Sequence, residues 1–321
     1  MIERAARRDV HAPDGAPVAP QAAGPFLKWV GGKRQLLPQL RRFIPARFGT
    51  YHEPFLGSGA VFFDLWSRRR IGDASLSDTN GALVGCYDVV RRTPEALVDA
   101  LAHLEARHQR LNSVHYYHAR TRFNAGTADW VAAGGGTRAY PADLAALFIY
   151  LNRTGFNGLY RLNARGDFNV PAGRYVNPRI CDEARLRAAS AALQAPGVLL
   201  AHAPWQRVLD TARAGDLVYL DPPYAPLSTT ANFTGYTAGG FGDEDQRELA
   251  DGVIVLARRG CHVVLSNSTA PLIAELYEGA AATSAGLQAH RVPARRAINS
   301  NAAARGDVME FIVSTEVPRP D

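Results

Sequence analysis

The sequence has few cysteines, almost no lysine and no long apolar run. Its three cysteines, Cys86, Cys181 and Cys261, are odd in number and far apart, so they form neither a disulfide framework nor a metal-ligand cluster. We therefore expect a reducing, cytoplasmic setting and no bound metal. The longest apolar run, near Leu144–Leu151, has the length of a core segment and is too short to span a membrane, which argues against a membrane partner.

The positive charge is almost entirely arginine, since Lys28 and Lys33 are the only lysines. With 36 basic and 30 acidic residues the formal net charge is +6. This excess favours a polyanionic partner only weakly, because an arginine-rich composition also follows from a GC-rich genome. The distribution is more informative: residues 25–180 hold 21 basic and 11 acidic residues, whereas residues 181–321 hold 12 basic and 16 acidic residues.

The chain divides into three parts by composition. Residues 1–24 are rich in Ala, Pro and Arg and lack the apolar stretch of a secretory signal, so we expect a disordered extension. Residues 25–85 and 181–317 carry strand and helix signals and predict one catalytic domain. Residues 86–180 predict a helical and hairpin insertion, in which Asn152–Tyr175 is dense in Asn, Gly, Arg and aromatics and indicates hairpins rather than core helix.

Short apolar runs that end in polar or proline-rich turns predict buried parallel strands. The runs are Thr50–Glu53, Ala74–Ser77, Leu217–Leu220 and His262–Leu265, and the predicted helices among them are Ala60–Arg69, Pro94–Arg110 and Arg247–Arg259. Strand, glycine turn, helix and strand in succession predict an open α/β sheet.

The turn Glu53–Gly59 places two glycines, Gly57 and Gly59, between a predicted strand and a predicted helix. Glycines there let the backbone approach a ligand closely at the helix N-terminus. Asp78 follows at the end of the next strand, where a carboxylate can hold ribose hydroxyls. The pattern indicates a nucleoside cofactor and does not choose between a dinucleotide and S-adenosylmethionine, although Phe62 stands where the third dinucleotide glycine would fall.

The segment Asp221-Pro222-Pro223-Tyr224 follows the predicted strand Leu217–Leu220. Two prolines fix a rigid turn without donors of their own, which leaves the carbonyls of the turn free to accept hydrogen bonds. A carboxylate, a backbone carbonyl and an aromatic ring together suit an exocyclic amine on a flat base. Accepting both N–H hydrogens would free the nitrogen lone pair and aim it at an electrophile.

These motifs resemble those of bacterial DNA adenine N6-methyltransferases of the Dam type, and the resemblance runs from Phe26 to about Phe311. It implies an open Rossmann-like methyltransferase sheet with an inserted helical and hairpin DNA-recognition domain. The segments that carry it, in the order of the family, are Phe26–Lys33, Glu53–Gly59, Leu76–Asn80, Asn152–Arg161, Gly166–Pro171, Asp221–Thr234 and Arg295–Asn301.

The resemblance also implies a role for each matching residue. The catalytic residues would be Asp221, Pro222 and Tyr224, which hold the flipped adenine. S-adenosylmethionine would be bound by Trp29, Lys33, Phe55, Gly57, Gly59, Asp78 and Asp221. DNA would be contacted by Lys28, Arg153, Phe156, Asn157, Leu159, Arg161, Pro171, Arg295 and Asn301. Among these, Phe156 would be the wedge that enters the duplex, Arg161 a guanine reader, and Leu159 and Pro171 contacts to thymine methyl groups.

The hairpin and the stretch after the catalytic turn are closest to the Dam subgroup, which implies methylation of adenine in GATC in double-stranded DNA. The expected enzyme is a monomer located with the nucleoid, serving either restriction–modification or DNA replication and mismatch repair. Two other interpretations stay open: a methyltransferase acting on an RNA base or a protein glutamine amide, and an inactive DNA-binding homologue. The chain departs from the family at Ala172, at Ala302-Ala303-Ala304 and at Ala203-Pro204-Trp205, which affects loop packing and target preference rather than the chemistry.

Overall fold

The computed structural model describes residues 22–29, 31–227, 241–295 and 307–320. Within these residues the chain forms a seven-stranded sheet in the order β3-β2-β1-β4-β5-β7-β6. The strands are β1 Tyr51–Glu53, β2 Ala74–Asp78, β3 Val198–His202, β4 Leu217–Leu220, β5 His262–Ser268, β6 Gln288–Arg295 and β7 Asp307–Ser314. The first five strands are parallel, and β7 lies antiparallel between β5 and β6. The open α/β sheet predicted from the sequence is confirmed.

Ten α-helices accompany these strands in the described part of the chain. They are α1 Leu37–Phe43, α2 Ala60–Ser67, α3 Gly81–Arg92, α4 Pro94–Ala132, α5 Ala142–Thr154, α6 Glu183–Gln194, α7 Arg207–Thr211, α8 Asp243–Arg258, α9 Pro271–Glu278 and α10 Ala280–Ser284. No helix in the ranges described is long and apolar enough to cross a membrane.

The ends of the helices follow local chemistry. The side chain of Asn80 caps α3 by accepting a hydrogen bond from the backbone N–H of Leu83 at 3.1 Å, and Asp182 caps α6 in the same way. Pro94 begins α4 at a position where the missing N–H costs nothing. Of the helices predicted from the sequence, α2 and α4 begin at the predicted residues, Ala60 and Pro94, whereas α8 begins at Asp243 rather than at the predicted Arg247.

Helix α4 is much longer than predicted, because it runs through Ala132 instead of ending at Arg110. In its second half the buried apolar residues form one stripe, Tyr116, Ala119 and Phe123, which faces α5. A stripe of one residue per turn is a weak signal in sequence. The prediction of hairpins over the whole of Asn152–Tyr175 was also wrong at its start, since α5 continues to Thr154 as the last turn of a buried helix.

Two apolar cores cover the two faces of the sheet. Along β4 the side chains alternate, with Leu217 and Tyr219 in one core and Val218 and Leu220 in the other. All four are buried, as expected for a strand covered on both faces. The larger core contains the helices of the predicted insertion together with the sheet residues, so both segments are built on continuous apolar packing.

The predicted boundary of the insertion, residue 86, falls inside α3. This helix packs against β2, β3, α5 and α6, and it therefore contacts both of the segments that the division separates. The division into a catalytic domain of residues 25–85 and 181–317 and an insertion of residues 86–180 stays a prediction.

Candidate active site

The candidate site lies where the order of the sheet reverses. Strands β1 and β4 are parallel neighbours, paired at Tyr51 with Leu217 and at His52 with Val218, although the chain between them passes through β2 and β3. After the carboxyl ends of these two strands the chain turns in different directions, which opens a crevice between them. Open α/β sheets bind ligands in such a crevice. The glycine turn after β1 and the Asp-Pro-Pro-Tyr turn after β4 both begin at this crevice.

The glycine turn has a conformation that only glycine adopts without strain. Gly57 and Gly59 have φ angles of 47° and 63°. A Cβ atom on Gly57 would lie 3.0 Å from Cδ1 of Trp29, and one on Gly59 would lie 3.1 Å from the hydroxyl of Tyr87. The ring of Trp29 therefore packs directly on the backbone of the turn and forms a wall beside it.

Asp78, at the end of β2, is joined to the glycine turn. Its Oδ2 accepts a hydrogen bond from the backbone N–H of Gly57 at 3.1 Å, and its Oδ1 accepts one from the N–H of Asn80 at 2.9 Å. Burial raises the pKa of Asp78, and these two donors oppose the shift. Trp29, Gly57 and Asp78, three of the residues expected to bind cofactor, are thus brought together.

Asp221 forms a partly buried ion pair with Lys33. The Lys33 Nζ lies 2.6 Å from Oδ1 of Asp221, donates to the carbonyl oxygen of Gly31 at 2.7 Å, and lies 4.6 Å from the centre of the Tyr224 ring. Lys33 is only 6% exposed. Burial raises the pKa of Asp221, and the neighbouring ammonium group opposes that shift. A carboxylate, a carbonyl and a ring face therefore already surround a nitrogen cation here.

Further hydrogen bonds fix the side chains of Asp221 and Tyr224 in the β4 turn. Ser266, on β5, donates to Oδ1 of Asp221 at 3.2 Å. The hydroxyl of Tyr224 donates to Oε2 of Glu310, on β7, at 2.9 Å. Both Lys33 and Ser266 use Oδ1, so Oδ2 of Asp221 accepts no hydrogen bond from the residues described and is available to a ligand.

The two proline carbonyls of this turn differ. The carbonyl of Pro223 accepts a hydrogen bond from Nε2 of Gln246 at 2.8 Å, and Asn267 in turn donates to Oε1 of Gln246 at 3.0 Å. The expectation that the carbonyls of the turn are free is therefore wrong for Pro223, because α8 supplies a donor. No described residue donates to the carbonyl of Pro222, which leaves it as the available acceptor next to Asp221.

Glu53, at the end of β1, is a buried acid of the same crevice. It is 2% exposed, and its Oε2 accepts hydrogen bonds from the hydroxyl of Tyr51 at 2.9 Å and from the N–H of Phe62 at 3.2 Å. Burial, together with the nearby carboxylates of Asp221 and Asp78, raises the pKa of Glu53 to about 8. The raised pKa favours the protonated form of Glu53 at neutral pH.

Several residues of the site were not singled out from the sequence. The sequence motifs include Glu53 only as part of the glycine turn, and they do not contain Ser266, Gln246, Asn267 or Glu310. A polar side chain on an otherwise apolar strand or helix indicates that the side chain has a hydrogen-bond partner, because a buried polar group needs one. The partner itself, far away in sequence, gives no local signal.

The predicted recognition hairpin follows α5 and is open to solvent at its tip. Its strands meet in two isolated bridges, Gly155 with Ala172 and Leu162 with Phe168. Phe156 is 47% exposed, and the N–H of Phe156 donates to the carbonyl of Pro171 at 2.9 Å. The residues expected to contact DNA at this tip that are exposed are Phe156, Asn157, Arg161 and Pro171, while Leu159 is half-buried.

Arg161 is held by a neighbour in the hairpin. Its Nε donates to Oδ1 of Asn169 at 2.7 Å, which orients the guanidinium group while the side chain stays exposed. Asn157 has a φ angle of 55°, a left-handed conformation that asparagine tolerates better than most residues. The hairpin therefore presents its polar and apolar groups outward from a defined backbone.

Lys28 and Arg153, also expected to contact DNA, tie the N-terminal segment to α5. The Lys28 Nζ donates to the carbonyl of Arg153 at 3.2 Å and lies 3.9 Å from the centre of the Tyr175 ring. The guanidinium of Arg153 donates to the carbonyl of Phe26 at 2.7 Å. Burial lowers the pKa of both side chains, and their mutual repulsion adds to the effect on Lys28. Both residues have structural contacts, and a DNA contact by either stays a prediction.

The remaining expected residues are placed as follows. Phe55 lies in the turn after β1, with its ring edge-on to Phe241 at 6.0 Å between centres. Arg295 is the last residue of β6, while Asn301, together with residues 228–234 and 296–300 of the quoted motifs, lies outside the described residues. Across the described ranges no group of three or more His, Cys, Asp or Glu side chains is arranged to hold a metal ion.

Comparison with known proteins gives a consistent family. Residues 29–298 match the family model of D12 class N6 adenine-specific DNA methyltransferases. The chain is 38% identical over 291 residues to the type II methyltransferase M1.LlaDCHI of Lactococcus lactis subsp. cremoris, covering 90% of this chain and 94% of that protein. It is 37% identical over 300 residues to the type II methyltransferase M.MjaIII of Methanocaldococcus jannaschii, covering 90% of this chain and 98% of the relative.

A third relative is the DNA adenine methylase of Escherichia coli K12, 37% identical over 289 residues that cover 89% of this chain and 93% of that enzyme. The matched region contains both turns of the crevice and the hairpin. The resemblance inferred from the motifs is confirmed, and the α/β sheet agrees with a Rossmann-like methyltransferase fold. The chain belongs to the D12 class of N6 adenine-specific DNA methyltransferases.

Proposed function

We propose that this enzyme transfers a methyl group from S-adenosylmethionine to N6 of an adenine flipped out of duplex DNA, within the sequence GATC. The observation that carries the proposal is the arrangement of Asp221 and Tyr224 around the ammonium group of Lys33 at the switch point of the sheet. The carboxylate and the ring that hold this cation are also two of the groups that an exocyclic amine on a flat base requires.

The glycine turn and Asp78 support S-adenosylmethionine as the methyl donor. Trp29 packs on the backbone of Gly57, and the carboxylate of Asp78 lies beside them with lone pairs left for ribose hydroxyls. The proposed cofactor pocket consists of Trp29, Lys33, Phe55, Gly57, Gly59, Asp78 and Asp221. When bound, the cofactor supplies an electrophilic methyl group on a sulfonium.

The β4 turn would bind and orient the amine. Oδ2 of Asp221 and the carbonyl of Pro222 are the two acceptors that described residues leave open, and each can take one N–H of the amine. Using both hydrogens in this way turns the nitrogen lone pair out of conjugation with the ring. The Tyr224 ring offers a stacking face for the base, and the Asp221 carboxylate stabilises positive charge that develops on nitrogen.

The hairpin supports the reading of DNA sequence. A target amine inside a duplex is out of reach until the base leaves the stack, and the exposed ring of Phe156 is suited to fill the space. The oriented guanidinium of Arg161 can donate to both acceptors of a guanine in the major groove. Leu159 and Pro171 would contact thymine methyl groups, and Asn157 would donate to or accept from a base edge.

A methyl-transfer assay tests the substrate class. Tritium from labelled S-adenosylmethionine should appear in duplex DNA and not in RNA or in protein. Transfer to an RNA base or to a glutamine amide instead would replace the proposal with one of the other interpretations of the sequence. Calorimetry with S-adenosylmethionine separates these outcomes from an inactive homologue, which would bind DNA without binding the cofactor.

Mapping of N6-methyladenine tests the target. Plasmid DNA incubated with the enzyme should carry the modification in GATC, and single-base variants of that sequence should be modified far more slowly. Modification centred on a different sequence would leave the chemistry in place and overturn the GATC assignment.

A further inference from the structure

One section of α4 is unusual in charge. Between Ala106 and Ala128 the chain holds four arginines and three histidines and has no aspartate or glutamate. Elsewhere in the same group of helices arginines are paired: Arg91 and Arg92 each contact Asp88 at 2.6 Å. Solvated helices ordinarily mix both signs along a face. We call Ala106–Ala128 the basic section of α4.

The exposed cations of this section line a cavity of about 730 Å³. Arg107, Arg110, His118 and Arg122 are exposed, and none of them forms an ion pair with a carboxylate of a described residue. Three guanidinium groups that no described acid neutralises therefore border one concave surface. Such a surface attracts anions and repels cations.

A buried nitrogen in the same place lacks a partner. His115 is 4% exposed and lines the cavity, and its Nε2 is enclosed with no hydrogen-bond partner among the described residues. Buried polar groups nearly always have a partner, so an unpartnered one calls for an explanation. Burial lowers the pKa of His115, and repulsion from Arg107, His108, Arg122 and His118 adds to the shift.

The basic section also holds the recognition hairpin. The hydroxyl of Tyr116 donates to the carbonyl of Val170 at 2.9 Å, and Nη1 of Arg120 donates to the same oxygen at 3.2 Å. Nδ2 of Asn124 donates to the carbonyl of Phe168 at 3.1 Å. The hairpin therefore stands on the same helical turns as the cations, so a duplex docked on the hairpin comes close to the basic section.

We propose that the basic section of α4 binds the phosphate backbone of duplex DNA outside the base pairs that the hairpin contacts. The inference rests on the proposed DNA-reading role of the hairpin. From Arg107 to Arg122 the helix rises about 22 Å at ~1.5 Å per residue. An array of that length matches several successive backbone phosphates, whereas a single small phosphate compound would engage only part of it.

The test removes three charges and compares two DNA lengths. Arg107→Gln, Arg110→Gln and Arg122→Gln are combined in one variant. Its matched control combines Arg207→Gln, Arg213→Gln and Arg258→Gln, three exposed arginines on or beside α7 and α8 that have no ion pair with a described residue. The binding affinity and the methylation rate of each enzyme are measured on a long duplex with a central target and on a short duplex holding little more than the target, over a range of salt concentrations.

On the long duplex the α4 variant should bind more weakly. The negative slope of log affinity against log salt should become shallower by about 0.9 for each phosphate that the variant no longer neutralises. On the short duplex the variant and the wild-type enzyme should have equal rates, which also shows that the variant is folded. The α7–α8 control should behave as the wild-type enzyme on both duplexes.

Two results would overturn the inference. An unchanged salt slope on the long duplex would show that these arginines bind no phosphate. An equal reduction on both duplexes would place the interactions within the target sequence or trace the reduction to the fold. Failure of the proposed function is distinct, because the wild-type enzyme itself would then methylate neither duplex.

Discussion

The turn after β4 and the hairpin after α5 are built in opposite ways. In the β4 turn each functional group is held from another element: Asp221 by Ser266 on β5, Pro223 by Gln246 on α8, and Tyr224 by Glu310 on β7. In the hairpin, Phe156 and Pro171 are exposed and Arg161 is held only by its own loop. The β4 turn is therefore held by the rest of the fold, while the hairpin keeps its groups exposed.

This difference predicts that the two regions fail differently. Electrostatic stabilisation of a reaction requires groups that are already in place, because reorganisation during the reaction costs free energy. Reading of bases requires side chains that can enter a groove. Changes in the β4 turn should thus alter the rate with DNA bound normally, and changes in the hairpin should alter affinity and target choice. Four experiments, in order of expected effect, test this contrast.

The largest effect is expected from Asp221→Ala. Removal of the carboxylate takes away an acceptor of the amine and leaves developing positive charge unopposed, so kcat should fall by at least about 10³-fold. DNA affinity, measured by fluorescence anisotropy, should stay within a few-fold of wild type. Asp210→Ala, an exposed acid on α7, is the control and should retain full activity. Near-normal methylation by the Asp221 variant would contradict the assignment.

The second effect concerns stability and pH. The pKa of Glu53 in the folded protein, about 8, is above its ordinary value of 4.5, so between these values the folded state binds a proton that the unfolded state has released. The free energy of unfolding should therefore fall as pH rises through this window, by at most about 1.4 kcal/mol per pH unit.

Glu53→Gln keeps the shape of the side chain and cannot ionise, so its stability should vary less with pH between 5 and about 8. Urea unfolding of both proteins at several pH values measures the difference. Parallel pH profiles for the two proteins would show that Glu53 does not titrate in this range, and the β4 turn would then have a second negative charge nearby.

Arg161→Ala should have an intermediate effect and should act on target choice. Removing a bidentate interaction with guanine costs about 1–3 kcal/mol of discrimination, so kcat/KM should fall by roughly 10- to 100-fold on the target and much less on DNA altered at that base pair. Arg165→Ala, exposed in the same hairpin, is the control. Equal reductions on both DNAs would indicate that Arg161 binds a phosphate rather than a base.

The smallest effect is expected from Glu310→Gln, which weakens the hydrogen bond that orients the Tyr224 ring. A reduction of about 1 kcal/mol, or roughly five-fold in kcat, is expected with little change in DNA affinity. If Glu310 acts through the hydroxyl of Tyr224, the effect should vanish in a Tyr224→Phe background. Glu316→Gln, which alters a pair with His262 beyond β7, is the control. Additive effects of Glu310→Gln and Tyr224→Phe would refute the coupling.

The sequence predicted the open α/β sheet and the two motifs that lie at the crevice. Leu217–Leu220 was predicted with its observed limits, because a short apolar run bounded by a proline turn leaves little choice. Asp78, Trp29 and Gly57 were predicted to share a pocket, and the structure places both Trp29 and Asp78 against the backbone of Gly57. For Gly57 and Asp78, the local pattern and the position after or at the end of a strand both predict a ligand site.

The features that the sequence did not predict depend on packing between residues that are far apart in the chain. Glu310 reaches Tyr224 because β7 enters the sheet antiparallel beside β5, a pairing with no local signal. The second half of α4 gives a weak helical signal because it buries about one apolar residue per turn, and those residues pack against α5. Gln246 donates to the carbonyl of Pro223 from the first turns of α8, which begins at Asp243, whereas the sequence predicted a helix only from Arg247.

Because its pKa is raised, the buried Glu53 would couple the binding of a cationic ligand to proton release. A cationic ligand entering the crevice would lower the pKa of Glu53 and expel its proton into solvent. The heat of binding would then depend on the ionisation enthalpy of the buffer, and affinity would increase with pH up to about 8, where the free protein has already released the proton. Glu53, at the end of β1, would thus add a negative charge to the crevice when a positive ligand binds.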